Sequence, residues 1–284
     1  MSGAGPILDS SGFLSQHNLF VRIASALILA PLALAAAYFG GIAFLVFWCI
    51  AALAVLWEWL ALVTGAANVL TFLVGAAAIA VSALMTAREH PVTAMLIVAL
   101  GALAAAIFAQ QERRTAVAGG IAYAGVMLLA PVLLRADERS GFDAIIFLFA
   151  VVWTTDVFGY FFGRTVGGPR LAPAISPKKT WSGAVAGLIG AALAGIAIGR
   201  YAIGTNWFPT GFTAILLSVA AQAGDLLESG LKRRFGVKDT SQLIPGHGGV
   251  MDRLDGFWAA ALLSVIIGLL RGGFAAPAQG LLVW

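Results

Sequence analysis

Two pairs of acids, Asp225 with Glu228 and Asp252 with Asp255, are each three residues apart, a spacing that puts both side chains on one face of a helix. Between the pairs lie Lys232, Arg233, Arg234, Lys238, Asp239 and the turn PGHGG at 245–249; Arg253 sits inside the second pair. The interval 225–256 holds ten charged residues and His247, in a chain only 11% charged. Carboxylates crowded this way are met by neighbouring Lys and Arg or by a divalent cation. Hard oxygen ligands suit Mg²⁺, which takes one or two carboxylates and completes its shell with water and substrate phosphate. A metal-free salt-bridge network is the alternative that residue types leave open. A glycine-rich turn lets backbone N–H groups approach an anion, and Lys232, Arg233, Lys238 and Arg253 suit phosphate oxygens. Read alone the turn is weak: His247 can simply hydrogen-bond within it, and a basic juxtamembrane patch can simply attract lipid headgroups. The combination points to phosphate chemistry.

A second polar segment, GGPRLAPAISPKKTWSG at 167–183, offers Ser176, Lys178, Lys179 and Thr180 to a phosphorylated headgroup or a nucleotide; an ordinary basic loop is its plainer reading. Asp156 lies inside an apolar run, where a carboxylate is a functional candidate by default. Glu58, in WEWL, reads as a weaker candidate near an interface.

The elements that must position these groups are membrane helices. The chain has 284 residues, 61% of them hydrophobic, and a mean hydropathy of +0.95, far from the balance of a soluble domain. Continuous apolar runs, without the alternation of a β-barrel, predict an all-α polytopic membrane protein. We read about nine spans (range 8–10), near 23–39, 42–63, 69–86, 92–109, 115–134, 143–162, 182–199, 208–227 and 257–270. The first run is read as a span, not as a cleaved signal. Trp153, Trp181, Trp207 and Trp258 fall near predicted span ends, as anchoring or packing aromatics do. One integral domain over 1–284 is expected, with N-terminal spans in 1–140 and a catalytic part in 141–284 containing the signature interval 225–256. The lone Cys49 excludes an intrachain disulfide, and no Cys/His pattern suggests zinc.

With the N-terminus in the cytoplasm, 12 of the 17 Lys and Arg residues fall on the inner side; Arg88, Arg135, Arg139, Arg200 and Arg271 fall outside. The positive-inside bias favours that orientation. It also accounts for the net charge of +4 without a nucleic-acid partner.

At these residues the sequence resembles the phosphatidate cytidylyltransferase (CDP-diacylglycerol synthase) family. Its signature is matched by Ser229, Leu231, Lys232 and Arg233, then Lys238 and Asp239, then His247, Gly248 and Gly249, then Asp252, Arg253 and Asp255, 27 residues without a departure. Asp225 and the SPKKT of 176–180 match further family features. The resemblance is strong over roughly 150–260, whereas the first 140 residues match only in hydrophobic character. It implies transfer of a cytidylyl group from CTP to phosphatidate, with Mg²⁺ and an active site reached from the cytoplasmic side of the inner membrane; a homodimer and an additional monovalent cation also come into view. Asp225 and Asp252 become the leading metal ligands, with Glu228 as a further candidate and Asp255 in support. Lys232, Arg233, Lys238 and Arg253 become phosphate contacts, and His247 with Gly248 and Gly249 shapes the turn.

Three other readings compete. A transporter would thread charges along a path through the spans, but here they gather at one face. A CDP-alcohol phosphotransferase would need Arg at position 260, which is Ala260, and more acids after Asp255, of which there are none. A headgroup-binding scaffold without catalysis is the third.

Overall fold

The computed structural model describes Ser25 and residues 27–65, 69–204, 206–246 and 248–284. His247, and positions 23, 24 and 26 of the first expected span, lie outside the described residues. Eight helices are long and apolar enough to cross a membrane, and α1 (Leu27–Phe39) is a shorter apolar helix before them. They are α2 (Gly41–Thr64), α3 (Val69–Ala87), α4 (Pro91–Phe108), α5 (Arg114–Arg135), α6 (Gly141–Thr165), α7 (Trp181–Ala197), α8 (Trp207–Arg234) and α9 (Met251–Gly272). A short antiparallel hairpin, β1 (Arg170–Ala172) and β2 (Ser176–Thr180), joins α6 to α7, and α10 (Pro277–Leu282) follows α9.

Helix α5 forms the centre. The other helices cover 78% of its most apolar stretch, against 28–44% in the remaining spans. Around it, aromatic rings tie helices together. Trp48 of α2 stacks on Phe257 of α9 at 4.8 Å, and Tyr123 of α5 stacks on Trp258 of α9 at 4.4 Å. Trp258 also donates its indole N–H to the Tyr123 carbonyl, so it packs inside the bundle, whereas Trp153, Trp181 and Trp207 remain exposed on its surface.

Where helices meet without bulky side chains, small residues let backbones approach. Gly159 and Gly163 of α6 face Gly183 of α7, and a Cβ on Gly183 would stand 2.6 Å from the Gly159 carbonyl oxygen. The same device brings α8 against α9, where a Cβ on Gly224 would stand 2.7 Å from the Asp255 carbonyl oxygen.

Half of the polar interval 225–256 proves to be helix. Helix α8 runs to Arg234, well past its apolar stretch, because Lys232, Arg233 and Arg234 in its last turn complement the helix dipole. It stops at Gly236, whose φ of 72° permits a Schellman closure: Val237 N–H donates to the Lys232 carbonyl and Gly236 N–H to that of Arg233. Helix α9 then begins at Met251, earlier than its apolar residues suggest. Only 235–250 is loop. At 28 residues and ~1.5 Å per residue, α8 is about 42 Å long, more than the ~30 Å hydrocarbon core.

Candidate active site

The C-terminal end of α8 carries Asp225, Glu228, Ser229, Lys232 and Arg233, and the antiparallel start of α9 carries Asp252, Arg253 and Asp255. The i, i+3 spacing on each helix turns the two acid pairs toward the same space. Lys232 Nζ lies between the helices, 2.7 Å from Asp252 Oδ1 and 3.1 Å from Glu228 Oε1. Helix α6 adds Asp156, which stands within electrostatic reach of Asp225, Lys179 and Arg253. Asp255 faces Glu228, Asp225 and Asp156. The hairpin closes one side: Lys179 Nζ is 2.5 Å from Asp225 Oδ2, whose other oxygen accepts from Ser229 Oγ at 3.3 Å.

Asp252 is the hub of the loop. Besides Lys232, its Oδ2 accepts from Thr240 N at 2.9 Å, Thr240 Oγ1 at 3.0 Å and Gly249 N at 2.8 Å. The anion cradled by the glycine turn is therefore the protein's own carboxylate, where the sequence suggested a substrate phosphate. Gly248 and Gly249 are small for the same reason. A Cβ on Gly248, at φ 83°, would stand 2.8 Å from Asp252 Oδ2, and one on Gly249 would stand 2.6 Å from the Glu58 carboxylate oxygens.

Glu58 is a participant that sequence reasoning undervalued. It is fully buried near the end of α2, and its carboxylate accepts from Ser241 Oγ at 2.6 Å, Val250 N at 2.8 Å and Met251 N at 2.7 Å. Thr240 and Ser241 were not singled out either. The available signal was an acid within an apolar run, since that burial demands partners.

The remaining expected residues divide by exposure and partner. Thr180 is buried as the N-cap of α7, accepting from Gly183 N at 3.2 Å. Ser176 pairs with Ala172 in the hairpin. Arg233 donates to the carbonyls of Ile175 (3.4 Å) and Val237 (3.2 Å), fastening hairpin and loop to α8. Lys178, Lys238, Asp239 and Arg253 are exposed, and none is in an ion pair among the described residues.

Five carboxylates, Asp156, Asp225, Glu228, Asp252 and Asp255, thus gather around Lys179, Lys232 and Arg253. The fully buried Glu228 has Lys232 as its one ion-pair partner among the described residues and otherwise lies carboxyl to carboxyl against Asp255. A buried carboxylate short of donors, among like charges, is stabilised by a cation. Among the described residues no three acids, His or Cys are already arranged as a metal cage. Mg²⁺ does not require one, since it usually binds one or two carboxylates and takes its other ligands from water and phosphate. Asp252 is the least open of these acids, since its oxygens already accept four contacts.

Together these features define a polytopic membrane enzyme whose acids and cations meet at one end of the bundle. The family model for cytidylyltransferases matches residues 20–270, and the chain belongs to that family of nucleotidyltransferases. A phosphatidate cytidylyltransferase of Brucella abortus biovar 1 (strain 9-941) is 39% identical over 263 residues, covering 92% of this chain and 96% of the relative. Phosphatidate cytidylyltransferases of Staphylococcus haemolyticus (strain JCSC1435) and Staphylococcus aureus (strain COL) are 40% and 38% identical over 149 and 151 residues, 52% of this chain and 56% of each relative. The resemblance read from 229–255 is borne out and reaches further than those motifs, into the first 140 residues.

Proposed function

We propose that this chain transfers the cytidylyl group of CTP to phosphatidate, yielding CDP-diacylglycerol and pyrophosphate at the cytoplasmic face of the inner membrane. The observation that supports it best is the carboxylate-and-cation cluster at the end of an apolar bundle, built from the motif residues of a cytidylyltransferase. The apolar surround suits a lipid whose acyl chains stay in the bilayer while its phosphate reaches the helix ends.

The nucleophile is a phosphate-monoester oxygen of phosphatidate. With a second pKa near ~6, much of it is a dianion at neutral pH, so no strong general base is needed. A bond forms from that oxygen to the α-phosphorus of CTP, and the bond from the α-phosphorus to the α,β-bridging oxygen breaks; the electron pair leaves with pyrophosphate. The chemical difficulty is bringing two polyanions together and stabilising the leaving group, which is work for positioning and fixed positive charge. Lys178, Lys238 and Arg253 are the exposed cations available to phosphate oxygens. Lys179 and Lys232, each paired with an acid, hold the acids apart at defined distances.

In this proposal Mg²⁺ would be held by one or two of the carboxylates Asp225, Glu228 and Asp255, and when bound it would supply charge neutralisation for the triphosphate. Asp252 orients the loop, and its metal role in the sequence reading passes to Asp255. The same acid cluster is where an additional monovalent cation would sit. An N-terminus in the cytoplasm and a homodimer complete the proposal.

The test is pyrophosphate release by purified, monodisperse protein given CTP, phosphatidate and Mg²⁺. Turnover that requires all three, and stops on chelation, is expected. A well-folded preparation that releases no pyrophosphate overturns the proposal.

A further inference from the structure

Glu58 reaches the site from the first half of the chain, across 182 to 193 residues of sequence. Its four neighbours are of two kinds. Val250 N and Met251 N are the first free N–H groups of α9, the helix bearing Asp252, Arg253 and Asp255. Ser241 Oγ and Thr240 Oγ1 belong to the loop from α8, at 2.6 Å and 3.3 Å. Thr240 Oγ1 also stands 3.0 Å from Asp252 Oδ2, so a single hydroxyl links the two acids. A carboxylate is acceptor-only, with about four lone-pair sites, and that suits three full donors and the Thr240 hydroxyl, whose single proton is shared with Asp252. The amide of a glutamine would turn N–H groups toward one of the two backbone N–H donors.

We infer that Glu58 is a positioning residue for the transfer reaction. It fixes the start of α9 and the Thr240–Ser241 segment, and through them the orientation of Asp252, Arg253 and Asp255. This inference rests on the proposed cytidylyl transfer. Among the described residues the hydrogen bonds of Glu58 run to the loop and to the α9 start, so its effect on the reaction passes through those groups. The arrangement also gives the N-terminal spans a part in the chemistry: the helix packed beside α5 clamps the loop that the last spans carry.

Two variants of the full-length protein test this, Glu58→Gln, which keeps the volume, and Glu58→Ala. Turnover per folded molecule is read beside limited trypsin digestion after Arg234 and Lys238, the basic residues flanking the first part of the loop. Glu58→Gln is expected to lower kcat about 10-fold and Glu58→Ala about 100-fold, in the range seen when supporting groups of a site are lost. KM for CTP should move less than kcat, and both variants should be nicked faster at the loop while retaining their melting temperature to within a few degrees. Wild-type turnover with unchanged nicking in both variants overturns the inference. So does activity lost only in step with melting temperature, with the loop still protected. If the wild-type protein itself releases no pyrophosphate, the functional reading fails separately. The nicking comparison then still decides the clamp: faster cleavage supports it and unchanged cleavage overturns it.

Discussion

The two ends of the bundle use charge in opposite ways. At the end away from the active site, Arg135 donates to the carbonyls of Ala37 (2.7 Å) and Tyr38 (3.3 Å), closing the last turn of α1. Asp137 is buried and accepts from Arg139 N and Ser140 N through one oxygen and from Gln279 N, at 3.0 Å, through the other. Arg271 donates to the carbonyls of Gly280 and Val283, and its guanidinium lies 3.6 Å from the centre of the Trp284 ring. Each of these charges is answered by backbone groups or a ring close by. At the active end, acids face acids, and the buried Glu228 has to share its one ion-pair partner among the described residues, Lys232, with Asp252. The first arrangement is finished by folding, whereas under the proposed function the second is finished by a bound ion and substrate. Charge in a membrane protein marks function where its demand is unmet.

That contrast can be broken by substitution. The largest effect is expected for Lys232→Met, which leaves Asp252 and Glu228 facing each other without their shared cation. Removing one member of a buried charge set costs about 3–5 kcal/mol, so both thermal stability and turnover should collapse; a variant that melts like wild type would show that the lysine is not the keystone. Next comes Glu228→Gln. Turnover should fall roughly 10²–10³-fold, the scale of losing one electrostatic contributor to a transition state. The melting temperature should hold or rise, because a buried carboxylate short of donors opposes folding. A drop in melting temperature with turnover retained would place Glu228 with the structural charges of the opposite end. The smallest effect is expected for Asp137→Ala, which removes the acceptor for three backbone N–H groups and should cost about 1–2 kcal/mol. Thermal unfolding would show that loss, while pyrophosphate release per folded molecule stays at the wild-type rate. A loss of turnover there would erase the distinction between the two ends.

Much of this architecture was legible from the residues. Long apolar runs announced the spans, since nothing else tolerates such sequences, and the i, i+3 acid pairs fixed the facing sides of α8 and α9. What escaped was set by partners far along the chain. The reach of α8 to Arg234 and the start of α9 at Met251 depend on capping contacts, not on hydropathy. Gly249 looked like a phosphate turn because glycine records only that something comes close, not whether it is a ligand or Asp252 and Glu58. Glu58 itself has no local pattern; its meaning lies in Thr240, Ser241, Val250 and Met251.

The clamp from α2 has a consequence for how the molecule is completed in the bilayer. Loops that join distant segments close late, because the chain between them must first be ordered. Glu58 is made early, yet its donors emerge only after six further membrane helices, α3 to α8, have been synthesised. Until then the chain carries a carboxylate at a membrane boundary with no built-in partner, a costly state for an inserted helix. A product interrupted before Thr240 retains that cost, because every donor that answers Glu58 among the described residues lies at 240–251.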